Sequence, residues 1–180
     1  FAQAYSRTPA TLSEAGYPMG LGIPANTFTG LLLMSAIVFA ICISISGLYA
    51  DKIGRRKWLI WTTVSILIFA LCMPLFLGNG TPTSVFAFLV IGMALMGMTF
   101  GPMAALLPEL FPTEVRYSGA SLAYNIASII GATIAAMISL KINALYGLMG
   151  VGIYLAINAF LTLLALLASK ETKNVDLTQI

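Results

Sequence analysis

The sequence predicts an all-α integral membrane protein, and three observations carry that prediction. Residues 15–50 and 58–108 hold no Asp, Glu, Lys, Arg or His, and each stretch exceeds the roughly 20 apolar residues that a helix needs to cross hydrocarbon. Of the 180 residues, 59% are hydrophobic and 8% are charged, whereas soluble domains carry about a quarter charged residues. A large buried core does not explain that composition, because nine basic and six acidic residues cannot cover a domain of this size. The third observation is where the charges fall: Asp51, Lys52, Arg55, Arg56 and Lys57 form a compact knot between two apolar stretches. Hydrophobicity that continues without alternation argues against a membrane barrel. The net charge of +3 is then no sign of nucleic-acid binding.

The elements follow in order. Residues 1–7 read as the end of a preceding helix. The opening Phe1-Ala2-Gln3 has neither an initiating Met nor a basic leader region, so the chain is expected to begin partway through a larger protein. Pro9, Pro18, Pro24 and three glycines make 8–26 a loop, and 1–26 is expected to lie on the extracytoplasmic side. Five membrane helices are expected within 27–169, at about 27–50, 58–78, 84–107, 117–140 and 149–169. Asn26 or Thr27 is placed to cap the first. Asn79-Gly80-Thr81-Pro82-Thr83 is a turn by composition, and Pro108 and Pro112 punctuate the connection 108–116. Residues 170–180 are polar and are expected to leave the membrane as a cytoplasmic tail. Trp58 and Trp61, just after the basic knot, sit where an interfacial aromatic anchor belongs.

Orientation follows from the basic residues. Lys52, Arg55, Arg56, Lys57, Arg116, Lys170 and Lys173 fall on one side, and only Arg7 and Lys141 on the other. The hairpin 51–57, the loop 108–116 and the tail are therefore expected in the cytoplasm, with 79–83 and 141–148 opposite.

Zero His, and Cys42 and Cys72 both within apolar stretches, leave no metal site, cofactor site, disulfide framework or catalytic cluster in the pattern. An enzyme is not expected. In the hairpin, Gly47 and Gly54 permit close approach and tight reversal, and Asp51 can face a neighbouring helix N-terminus. Lys52, Arg55, Arg56 and Lys57 either fix topology alone or also pair with acids elsewhere as part of a gate, with Asp51 and Arg55 in state-dependent contacts. The loop 108–116 supplies such acids in Glu109 and Glu114, and Arg116 can answer one of them. Within the spans, Ser118, Ser121, Asn125 and Ser128 recur every three or four residues and form one polar stripe. Tyr154 and Asn158, four apart, share a face. Both groups serve either as helix–helix hydrogen bonds or as a cavity lining. Gly97-x-x-x-Gly101 is a small-residue packing pattern, and Pro102 interrupts the helix after it.

Gly47-x-x-x-Asp51-Lys52-x-Gly54-Arg55-Arg56-Lys57 resembles the loop signature of the major facilitator superfamily. Glu109-Leu110-Phe111-Pro112-Thr113-Glu114-x-Arg116-x-x-Gly119 is similar to that superfamily's loop between the tenth and eleventh helices, and Glu171-Thr172-Lys173 to a common ending of its members. The wording around Phe111–Gly119, followed by Tyr124-Asn125-Ile126, looks most like the metabolite:proton symporter branch. Thr8–Met19 departs from the pattern, being longer and richer in turn residues than the loop after helix seven. The resemblance implies the C-terminal six-helix bundle of a twelve-helix fold, with its first helix largely missing. It further implies a partner bundle from the N-terminal half of the same polypeptide, in a bacterial inner membrane. The implied function is proton-coupled uptake of a small polar metabolite, an organic acid or zwitterion, by alternating access. A non-transporting receptor or assembly segment is the alternative.

Overall fold

The computed structural model describes residues 1–169, so the tail 170–180, with Lys170, Lys173 and the Glu171-Thr172-Lys173 ending, lies outside the described residues. Seven α-helices occur, and no strand is present among the described residues: α1 (Ala2–Arg7), α2 (Ala25–Ile53), α3 (Arg55–Leu71), α4 (Met73–Leu77), α5 (Pro82–Glu109), α6 (Arg116–Ile129) and α7 (Ala135–Ala168). A π-helical turn, Ile130–Ile134, joins α6 to α7. Three of these helices, α2, α5 and α7, are long and apolar enough to cross a membrane.

Glycine and proline set the breaks. Gly54 alone separates α2 from α3, and its φ of 113° is open to glycine and strained for other residues. The stretch expected as one helix over 58–78 is interrupted at Cys72, because Pro74 has no N–H to give Ala70 and its ring crowds the preceding turn. Gly152 packs against that Ala70 carbonyl, where a Cβ would lie 2.6 Å from the oxygen. At the other end α5 begins on an N-cap, with the Ser84 N–H donating to Thr81 Oγ1 over 3.2 Å. It runs through Pro108 to Glu109, two residues past the expected span.

The region 117–169 differs more. The helical run from Arg116 passes through the π turn and continues to Tyr146, so 141–146 is helix rather than connection. The break falls on Gly147, with φ 67° and ψ −169°.

α2 packs along α5, and α3 packs against α7. The buried core gathers at one end of the bundle, where Tyr5 and Ile23 meet Phe28, Met73, Leu77 and Val151. The segment after α1 is ordered there and not a free loop. Leu21, Gly22 and Ile23 donate to the carbonyls of Tyr5, Thr8 and Ser6 at 3.1, 2.8 and 2.8 Å, which satisfies the C-terminal carbonyls of α1.

Candidate functional site

The opposite end of the bundle carries the charged hairpin. Asp51 closes α2 and Arg55 opens α3, one turn apart across Gly54. The Arg55 guanidinium donates to Asp51 Oδ1 from Nε at 3.2 Å and from Nη2 at 3.1 Å. Its Nη1 donates to Glu109 Oε1 at the end of α5. Glu109 is 14% exposed and Asp51 64%. The Glu109 contact is therefore the better-shielded half, since exposed pairs contribute about 0–1 kcal/mol. Glu109 Oε2 is buried and has no partner among the described residues. Removing Arg55 leaves a shielded carboxylate uncompensated. The arginine is held more firmly protonated than usual, first by its hydrogen bond to Glu109, against the opposing effect of burial and with the charges of Glu109 and Asp51 adding to it.

The other candidate gating residues take separate places. Arg56 donates to the carbonyls of Leu166 and Leu167 at 2.8 and 2.6 Å, so it ties α3 to the last turn of α7. Arg116 donates to Phe111 O at 3.4 Å and to Thr113 Oγ1 at 3.3 Å, and Glu114 is exposed. The structure thus brings Arg55 to Glu109 and not to Glu114. Lys52 is exposed beside them. A Cβ on Gly47 would meet nothing within 4 Å, while one on Gly101 would lie 3.0 Å from the Gly47 nitrogen. The close approach occurs across the interface at Gly97 and Gly101, where a Cβ would lie 2.7 Å from Phe39 O and 2.7 Å from Ile43 O respectively.

Two polar contacts that the sequence did not reveal tie α5 to its neighbours, one from α2 and one from α3. Ser46, fully buried, donates to Ile43 O at 2.9 Å and to Gly97 O at 3.1 Å. Trp58 Nε1 donates to Met98 O at 3.0 Å. Met98 is the residue whose carbonyl Pro102 deprives of its helical donor. The proline was the visible signal, and the indole is the answer to it.

The polar stripe of α6 is exposed along its length. Asn125 Nδ2 donates to Ser121 O at 2.8 Å and lies 3.4 Å from Ser121 Oγ, and Ser128 stands just before the π turn, a distortion often found at functional sites. Asn158 donates to Tyr154 O at 2.7 Å. It lines a groove of about 410 Å³ between α3, α5 and α7, with Thr63, Thr99 and Thr162 and mostly apolar walls. Tyr154, one turn earlier on α7, is not among the residues that line it. A further residue missed in the sequence is Asn143, 2% exposed, whose Nδ2 donates to Pro18 O at 2.9 Å.

Residues 20–180 match the sugar (and other) transporter family. A putative metabolite transport protein of Haemophilus influenzae is 84% identical over the whole chain, which spans 41% of that relative. The inner membrane metabolite transport protein YhjE of Escherichia coli is 53% identical over 93% of the chain and 38% of its own length. A proline/betaine transporter of Salmonella typhimurium is 31% identical over 81% of the chain and 29% of its own length. No solved structure matches. The chain belongs to the sugar (and other) transporter family of the major facilitator superfamily. It spans about two-fifths of the length of its first two relatives named here.

Proposed function

We propose that the chain is the C-terminal bundle of a secondary transporter that works by alternating access with an N-terminal half of the same polypeptide. The substrate is a small polar metabolite, a zwitterion or organic acid, and uptake into a bacterial cell is coupled to protons across the inner membrane. The observation that carries this reading is the cluster Asp51–Arg55–Glu109. It joins the α2–α3 hairpin to the end of α5 through one guanidinium, in a rim where pairs can break and re-form between states. The Escherichia coli inner membrane metabolite transport protein favours metabolite transport at an inner membrane and, more distantly, the Salmonella proline/betaine transporter favours a zwitterionic substrate. The exposed stripe Ser121, Asn125 and Ser128 is the side of this bundle offered to the substrate cavity, and Asn158 with Tyr154 is a second candidate lining.

The test is a double-mutant cycle in the full-length protein reconstituted in liposomes. Arg55→Ala and Glu109→Ala should each slow metabolite uptake at least tenfold with insertion intact, because Lys52, Arg56 and Lys57 still hold the hairpin inside. The double variant should lose little more than either single one, as expected for residues acting as a pair. Additive losses, or uptake equal to the parent in both single variants, would remove the gating role.

A further inference from the structure

Beside the gating cluster, α3 presents a second feature that transport does not require. A groove of about 370 Å³ opens next to the hairpin, lined by Ile53, Trp58, Trp61, Thr62, Ser65 and Met98. Trp61 is 77% exposed in a helix flanked by apolar spans. Lys57, Trp61 and Ser65 are four residues apart, so they climb one face of α3 in successive steps of about 6 Å. Lys57 is exposed and makes no ion pair among the described residues, whereas Arg55 and Arg56 are committed to Asp51, Glu109 and the α7 carbonyls. Beyond Trp61 the other donors of the wall are already used. Thr62 Oγ1 donates to Trp58 O at 3.0 Å, Ser65 Oγ donates to Trp61 O at 3.1 Å, and the Trp58 indole donates to Met98 O. The groove therefore runs from a cation, past an indole, to a wall that wants hydrocarbon.

We propose that this groove holds an acyl chain of an anionic phospholipid whose headgroup phosphate pairs with Lys57. The order cation, indole, apolar slot along α3 follows the order phosphate, ester, acyl chain in the lipid. Indoles favour the depth of the ester region, and each juxtamembrane cation attracts acidic lipid. The charge complementarity fixes the occupant: Lys57, a cation with no ion pair among the described residues, selects an acidic headgroup over a zwitterionic one. The site is independent of the transport reading, since it touches neither Glu109 nor the stripe of α6.

The test uses the full-length protein in detergent micelles, titrated with phosphatidylglycerol or phosphatidylcholine carrying the same dibrominated chains. Emission lost on Trp61→Phe isolates the Trp61 signal. Trp61 should be half-quenched at about fivefold lower mole fraction of phosphatidylglycerol than of phosphatidylcholine, the ratio expected from one cation near an acidic headgroup. Lys57→Gln should bring the two curves together, and Lys57→Arg should keep them apart. Coincident curves in the parent protein would overturn the proposal, as would a preference that survives Lys57→Gln. Failure of either lipid to quench Trp61 would mean that another part of the protein covers the groove, and would overturn it as well.

Discussion

At Pro102 the chain loses one backbone donor inside α5, in a medium where no water replaces it. The Trp58 indole, from another helix, donates to the orphaned Met98 carbonyl at 3.0 Å, and its ring stacks on Tyr49 with centroids 5.9 Å apart. Trp58→Phe keeps the stacking and deletes only the donor, so it should lower the unfolding free energy of the full-length protein by about 1–2 kcal/mol. In a Pro102→Ala background the new N–H can serve Met98, and the same Trp58→Phe change should then cost less than half as much. Thermal unfolding of the four proteins measures this, and an equal cost in both backgrounds would show that the indole matters only as bulk. Pro102 was legible in the sequence as an interruption. Its partner was not, because the contact spans 40 residues and nothing local in α3 marks the indole as a donor. The same limit hid Ser46, one of several serines in α2 that looks no different from Ser44 until Gly97 is brought beside it.

At the scale of elements, continuous hydrophobicity and charge placement were enough to anticipate helical structure over the five expected stretches, with 58–78 divided at Cys72, because membrane backbone has few other ways to satisfy its donors and acceptors. The boundary between the last two was not legible. Residues 141–148 hold one lysine, one asparagine and one glycine, and the sequence does not show that the helix persists to Tyr146 before Gly147 breaks it. The break depends on distant residues: a Cβ on Gly147 would meet the Tyr17 ring at 2.6 Å, and Asn143, one turn earlier, holds Pro18 O. Turn residues in Thr8–Met19 signalled a loop, and here a tight pairing of Leu12 with Pro18 makes it an ordered strap. Asn143→Leu should release that strap while suiting an apolar site. Amide exchange of Met19 and Leu21, whose N–H groups donate to Thr11 O and Tyr5 O at 2.8 and 3.1 Å, should accelerate at least tenfold in the full-length protein. Unchanged exchange at both would mean that the α1 contacts alone order the strap. The π turn at Ile130–Ile134 has no sequence signal beyond Gly131.

Across the whole molecule the contacts sort the chain into two ends. Arg55 meets Glu109, and Arg56 meets Leu166 and Leu167, so the hairpin, the end of α5 and the end of α7 share one end. Tyr17 meets Gly147, Asn143 meets Pro18, and a Cβ on Gly80 would lie 3.7 Å from Leu21, so the strap, the 79–81 turn and the α7 break share the other. This grouping matches the one that the basic residues suggest, although geometry alone does not say which end faces the cytoplasm. We propose that the hairpin end faces the cytoplasm, on the sequence bias of seven basic residues against two. Much apolar surface remains on the outside of the bundle, with Ile37, Ile68, Leu122 and Leu161 all exposed, as helices that face lipid require. Thr83 and Glu114 are exposed reporters at opposite ends. With Cys42, Cys72 and any other cysteines of the full-length protein removed, Thr83→Cys should react with a membrane-impermeant maleimide on intact cells. Glu114→Cys should react only after the cells are opened. Labelling of both on intact cells, or the reverse order, would invert or dismantle the proposed orientation, and the charge argument would fail with it, because no other feature of the chain distinguishes the two ends so strongly.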